Sequence, residues 1–171
     1  AAIAIAATMG GAKVMLLDVP DLVTVAKLTD GFEEGMAACT TCEIVTTVDL
    51  TTLDQVNGVV EQKMTAALAR HPQVTTVFQS TDGLFLTGVQ TAIMNSGRAA
   101  ELLVIGSEGF LSNLDAIRSG NGQKIAMAFD SRWVRRLAVG ARSALTSCST
   151  MELMSSPDPS PVDVSDAMIC G

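Results

Sequence analysis

The chain has 171 residues, 48% of them hydrophobic and 17% charged, with 11 basic side chains against 18 acidic ones and a net charge of −7 when His71 is neutral. A phosphate backbone selects for clustered Lys and Arg, so this balance argues against a nucleic-acid partner, while the apolar share excludes wholesale disorder and fills one domain-sized core with an appendage. Tyr does not occur and Trp133 with five Phe supplies every aromatic ring, too few for a base-stacking surface.

In chain order, residues 1–9 read as a leading helix. The apolar start is too short to span a bilayer and lacks the basic flank of a signal peptide. It opens without Met and in mid-pattern, which suggests a piece of a longer chain with any export signal outside it. Residues 12–17 then form the first of five Val- and Ile-rich runs, the others being 43–48, 74–78, 102–105 and 125–129. Their hydrophobicity is continuous rather than alternating, so both faces are expected to be covered, and the spacing of about thirty residues fits βαβ units. A parallel sheet of about five strands with helices on both faces follows, an α/β lobe of Rossmann-like type.

Helical patterns fill the gaps at 24–38, 53–70, 84–96 and 111–119. Asp82 is placed to cap the third, Gly97 to follow its end, and Gly120 with Asn121 and Gly122 to close the fourth. Pro72 stands where the second should stop. A further helix is expected over 131–145, then a Ser- and Pro-rich linker at 155–161, then a short edge strand over 162–169 weakened by Asp163, Ser165 and Asp166. The division is a ligand-binding lobe at 1–130 and a crossover helix, linker and terminal strand at 131–171.

In an open α/β sheet, ligands gather beyond the carboxyl ends of the strands. That rule selects Asp18 to Asp21, Gln79 to Asp82, Gly106 to Gly109, and Phe129 with Asp130. The set holds carboxylates at Asp82, Glu108 and Asp130, hydroxyl and amide groups at Gln79, Ser80, Thr81 and Ser107, and one ring at Phe129. Such a mixture hydrogen-bonds a hydroxylated solute and stacks one apolar face of it. Glu108 stands out because it interrupts a turn between Ser107 and Gly109, where small residues are usual.

Cys39 and Cys42 have the CxxC spacing of redox enzymes and half zinc sites. A redox pair needs its first thiol at a helix N-terminus, whereas Cys39 falls at a helix end, and Cys148 and Cys170 are too far apart to complete a zinc set. Local disulfides in an exported protein fit better, Cys39 with Cys42 and Cys148 with Cys170, with buried or free thiols as the alternative. No metal or cofactor is expected. Hydrolase and transferase chemistry fares badly: the lone His71 precedes a strand instead of following one, and neither a GxSxG elbow nor a P-loop occurs. Gly31-Phe32-Glu33-Glu34-Gly35 lies inside a helix and is no dinucleotide fingerprint. Arg132, Arg135 and Arg136 read as a solvated face.

The order of motifs resembles type 1 periplasmic sugar-binding proteins. The run from Ala69 to Phe78, Thr81-Asp82-Gly83, Gly88-Val89-Gln90-Thr91-Ala92 and Gly97-Arg98 carries the likeness. Leu103-Val104-Ile105-Gly106-Ser107-Glu108-Gly109 resembles the family's "vvGfDg" turn, Asp115 to Gly120 its "l.aIr.G" helix end, and the helix from Lys27 through Phe32 its "r..Gf" pattern. The resemblance spans about residues 1–140 and implies the carboxyl-terminal lobe of a two-lobed protein that closes on a solute for an ABC permease, in an extracytoplasmic location. Its relatives include lactose-repressor-type effector domains, so a sensory domain of a regulator or receptor is the alternative.

The resemblance implies pocket positions at Leu28, Leu53, Thr81, Glu108 and Phe129, and it implies departures. Leu28 stands where the family usually has a clamping Arg, Thr81 where it has Asn, Glu108 where it has Asp, and Phe129 where a polar group is frequent. Losing a bidentate guanidinium and gaining Leu28, Leu53 and Phe129 points to a solute less polar than a pentose or hexose, oriented by Glu108 and Thr81. The face of Val134, Leu137, Ala138 and Ala141 would lose its usual packing partner in a single lobe, which implies self-association.

Overall fold

The computed structural model describes residues 11–127 and the backbone of Met168–Cys170. The expected elements at 1–9, 131–145 and 155–161, together with Phe129, Asp130, Cys148 and the apolar face on 131–145, lie outside the described residues.

β1 (Lys13–Asp18), β2 (Glu43–Asp49), β3 (Thr76–Gln79), β4 (Leu103–Gly106), β5 (Ile125–Met127) and β6 (Met168–Cys170) form one sheet in the order β2-β1-β3-β4-β5-β6. Every neighbouring pair is parallel. β6 stands at the edge of this sheet and overlaps the end of the run expected at 162–169, whose earlier residues lie outside the described ones.

Continuous hydrophobicity in β1 has the anticipated cause. Val14 and Leu16 enter one core cluster with Phe32, Met36, Phe78 and Ile105, while Met15 and Leu17 enter another with Met64, Val77, Phe85, Ile93 and Val104. The first cluster lies beneath α1 (Val23–Ala37), whose Val25, Thr29, Phe32 and Met36 recur at helical spacing, and Phe32 stacks on Phe78 with ring centroids 3.9 Å apart. The second lies beneath α3 (Val60–Arg70) and α4 (Gln90–Asn95). Right-handed crossovers dictate this: the chain moves one way from β1 to β2 and the other way afterwards, so its helices fall on opposite faces.

Two expected helices are broken. The pattern at 53–70 splits into α2 (Thr52–Val56) and α3, because Gly58 adopts φ +69°, a left-handed conformation that ends a helix. A capping box fixes the start of α2: the Asp54 N–H donates to Thr51 Oγ1 and the Thr51 N–H donates to Asp54 Oδ2. The pattern at 84–96 begins as a wide π-helical turn (Phe85–Val89) and kinks at Gly88, which packs against the backbone of Glu61 on α3. α5 (Leu111–Arg118) completes the described helices, and Gly97 and Gly120 follow helix ends as expected.

Cys39 and Cys42 form a disulfide in the turn between α1 and β2, at the amino end of the sheet. The backbone of Cys170 is in β6. Among the described residues no helix is long and apolar enough to cross a membrane, and no group of His, Cys, Asp and Glu is arranged to hold a metal.

Candidate ligand-binding site

Strand order reverses at β1, so the connections leaving β1 and β3 depart to opposite faces and open a crevice at the carboxyl end of the sheet. The loop after β3 carries Thr81 and Asp82, and the loop after β4 carries Ser107 and Glu108. Adjacent parallel strands bring these two loops together. Thr81 Oγ1 donates to Glu108 Oε2 at 2.6 Å, and the Asp82 N–H donates to the same oxygen at 2.8 Å. One oxygen of the half-buried Glu108 is thereby fixed, while Oε1 accepts no hydrogen bond from the described residues.

Asp82 has a different task from the one its position suggests. Its side chain caps no helix; it is fully buried, Oδ1 accepts from the Ser107 N–H and Oδ2 from the Phe110 N–H, each at 2.9 Å. A carboxylate accepting two backbone donors from the neighbouring loop outcompetes local capping, because both oxygens are satisfied without water. The two loops are therefore cross-tied, Asp82 holding the β4 loop and Glu108 holding the β3 loop.

Beneath them runs a buried amide network. Asn113 Nδ2 donates to Gln123 Oε1 at 2.9 Å and to the Asp82 carbonyl at 3.3 Å, Gln79 Nε2 donates to Gln123 Oε1 at 3.4 Å, and Gln123 Nε2 donates to the Ile125 carbonyl at 3.0 Å. Gly106 lies at its centre: a Cβ there would collide with Asp82 Oδ1 and Gln123 Nε2. Sequence reasoning noted Gln79 and Gly106 but missed Asn113 and Gln123. Asn113 is a polar residue on the buried side of α5 beside Ala116 and Ile117, and that misfit was the available signal. Gln79 Oε1, Ser80 Oγ and Ser107 Oγ are buried at this end and find no hydrogen-bond partner among the described residues.

Of the other expected residues, Leu28 is half-buried on α1, one position before Thr29, whose hydroxyl donates to Asp18 Oδ1 at 2.6 Å. Leu53 is 65% exposed on the first turn of α2. That turn belongs to the same rim: Asp21 accepts from the Thr52 N–H at 2.9 Å, which holds its carboxyl below the ordinary range, and Gln55 approaches Gly83. The structure thus brings Thr81, Asp82 and Glu108 into direct contact, while Leu28 stands on α1 and Leu53 on α2. A shallow groove of about 480 Å³ lies elsewhere, along edge strand β2 and helix α3, lined by Thr46, Lys63 and His71 among others. Its Lys63 is already engaged by Asp54 at 2.7 Å.

No protein-family model matches the chain, and no curated protein does. Solved structures do. An ABC transporter solute-binding protein from Agrobacterium vitis bound with alpha-D-tagatopyranose matches with TM-score 0.62 and 22% identity, over 73% of this chain and 41% of its own. A periplasmic solute-binding protein from Actinobacillus succinogenes with bound D-allose matches with TM-score 0.59 and 20% identity, over 68% of this chain and 41% of its own. One from Bacillus halodurans with bound myo-inositol gives 0.61 and 16%, over 70% and 41%. The chain therefore spans about two fifths of the length of these structures, and its fold is that of a lobe of a type 1 periplasmic solute-binding protein.

Proposed function

We propose that this chain is one lobe of a solute-binding component of an ABC importer, extracytoplasmic and non-enzymatic, holding a small carbohydrate-like or semi-polar solute for delivery to a permease. The reading rests on one observation: Thr81 and Glu108, from separate loops at the carboxyl end of a parallel sheet, meet so that one carboxylate oxygen is fixed and the other accepts no hydrogen bond from the described residues. A fixed carboxylate orients a ligand hydroxyl without losing side-chain freedom at the moment of binding. The mechanism is capture by closure, with selectivity set by which solute bridges the two walls. The solutes named for the matching structures, allose, tagatose and inositol, supply the first candidates.

Thermal unfolding of the 171-residue chain with D-allose, D-tagatose or myo-inositol tests this. A bound solute raises the transition temperature by mass action. At least one is expected to do so for the wild type, with the rise lost in Glu108→Ala and reduced in Glu108→Gln, which keeps the side-chain shape. An unchanged rise in both variants, or none in the wild type with any of the three, overturns the assignment.

A further inference from the structure

We infer that the free side of Glu108 receives a ligand ammonium group carried beside an apolar face, so that the lobe favours aminated solutes over neutral ones and rejects anionic ones. The inference rests on the solute-binding reading and names the class of solute.

Charge is the first ground. Asp18, Asp21, Asp49, Asp82 and Glu108 sit at strand ends or in the loops that follow them, with Asp54 on the short helix after β2, whereas Lys13, Arg70, Arg98, Arg118 and Lys124 sit at strand starts or helix ends on the opposite edge, where Glu43, Glu101 and Asp115 offset part of their charge. At the carboxyl edge Lys63 is committed to Asp54 and the exposed Lys27 to Asp30. Helix dipoles account for part of this segregation, since Asp21, Asp54 and Asp82 hold backbone N–H groups at helix or loop starts. They do not account for Glu108 Oε1.

Hydrogen-bond inventory is the second, independent ground. Among the described residues, the buried polar atoms beside Thr81 and Glu108 that find no partner are the Ser80 and Ser107 hydroxyls and the purely accepting Gln79 Oε1. Glu108 Oε1 and Gln79 Oε1 can only accept, the two hydroxyls can turn either way, and the described residues offer no cationic donor to them. An ammonium group is donor-only, with three N–H bonds that the carboxylate, the amide oxygen and either hydroxyl can accept; a carboxylate or phosphate would find donors only in the hydroxyls and would meet Glu108 as a like charge.

The third ground is what surrounds the carboxylate. Val23 is 82% exposed, Leu53 65%, Phe110 48% and Leu111 76%, and each follows a strand end on this same rim. Phe110 lies two residues beyond Glu108, is anchored through its N–H to Asp82 and is exposed, so one short loop carries both a carboxylate and an aromatic residue, the two kinds of group that attract an organic cation. Apolar residues that would ordinarily be covered thus border the charged corner.

The test is a charge series on one apolar skeleton: 2-phenylethylamine, 2-phenylethanol and phenylacetate, titrated into the 15N-labelled 171-residue chain and followed by amide shifts of Thr81, Asp82, Glu108 and Gly109. The amine is expected to bind about tenfold tighter than the alcohol, phenylacetate weakest, and the amine's advantage to shrink as salt rises. Glu108→Gln is expected to bring the amine and alcohol together while the remaining spectrum stays dispersed. If that variant does not fold, the wild-type series and its salt dependence decide alone. Equal binding of amine and alcohol at these amides, or preference for phenylacetate, overturns the ammonium assignment and leaves sugar capture standing; no shift at them with any of the three probes overturns the ammonium assignment, while failure of the sugar screen falls on the solute-binding reading itself.

Discussion

Asp82 and Glu108 are both carboxylates one loop apart, yet their surroundings give them opposite tasks. Asp82 is fully buried with both oxygens accepting backbone N–H groups, so it ties the two loops together; Glu108 is half-buried with one oxygen committed, so it is the one proposed to meet a solute. Replacing Asp82 by Asn keeps one acceptor and turns an amide NH2 toward a backbone N–H, at a cost of about 2–3 kcal/mol for the lost charge-assisted bond and the unsatisfied donor. Urea unfolding of Asp82→Asn is expected to show that loss with an unchanged slope; a loss below about 0.5 kcal/mol would contradict the cross-tie. Sequence reasoning reached both residues because strand ends in an open α/β sheet point to them, and it favoured Glu108 because a charged residue in a tight turn needs a reason. It missed the role of Asp82, since helix capping is a local pattern and the donors it serves are 25 and 28 positions away.

Among the elements, strands were the most readable. Runs such as residues 12–17 are apolar on both faces, and the two core clusters drawn from alternate residues of β1 explain why. Helix continuity was less readable, because a single left-handed glycine divides 53–70 without disturbing the apolar period of α3. The junction it creates titrates. Lys63, hydrogen-bonded at 2.7 Å, together with the Thr51 N–H and hydroxyl, holds the Asp54 carboxyl down at about 2 from an ordinary 3.8. A carboxyl depressed on folding stabilises the folded state above its unfolded pKa, so this contribution is complete above about pH 4 and fades as pH falls toward 2. Asp54→Asn is therefore expected to flatten the stability profile across that window and to leave its slope above pH 5 unchanged, as read by urea midpoints against pH. The Cys39–Cys42 disulfide closes a loop of only four residues. Chain-entropy arithmetic gives such a loop about 2 kcal/mol. Replacing both cysteines by Ser is expected to lower stability by that order, measured under identical buffer without reductant; a neutral result would mean the turn is held by its backbone alone.

At the scale of the molecule, the Glu108 oxygen unpaired among the described residues, several acidic residues and several exposed apolar residues share one edge of the sheet, and that convergence supports the carboxyl rim as the proposed functional face. The composition alone reported an acidic chain with few rings, without saying where either property lies. Parallel topology supplies the missing step, because it sends every strand end, and with it Asp18, Asp49, Thr81 and Glu108, to the same edge. The expected pocket positions Phe129 and Asp130 fall outside the described residues, so the argument for the rim stands on the β3 and β4 loops. A competing surface exists in the groove along β2 and α3, whose lysine is already paired. Amide chemical-shift mapping of whichever sugar or polyol most stabilises the chain separates the two. The account predicts perturbations centred on Thr81, Asp82, Glu108 and Gly109, whereas perturbations centred on Thr46, Lys63 and His71 would contradict it.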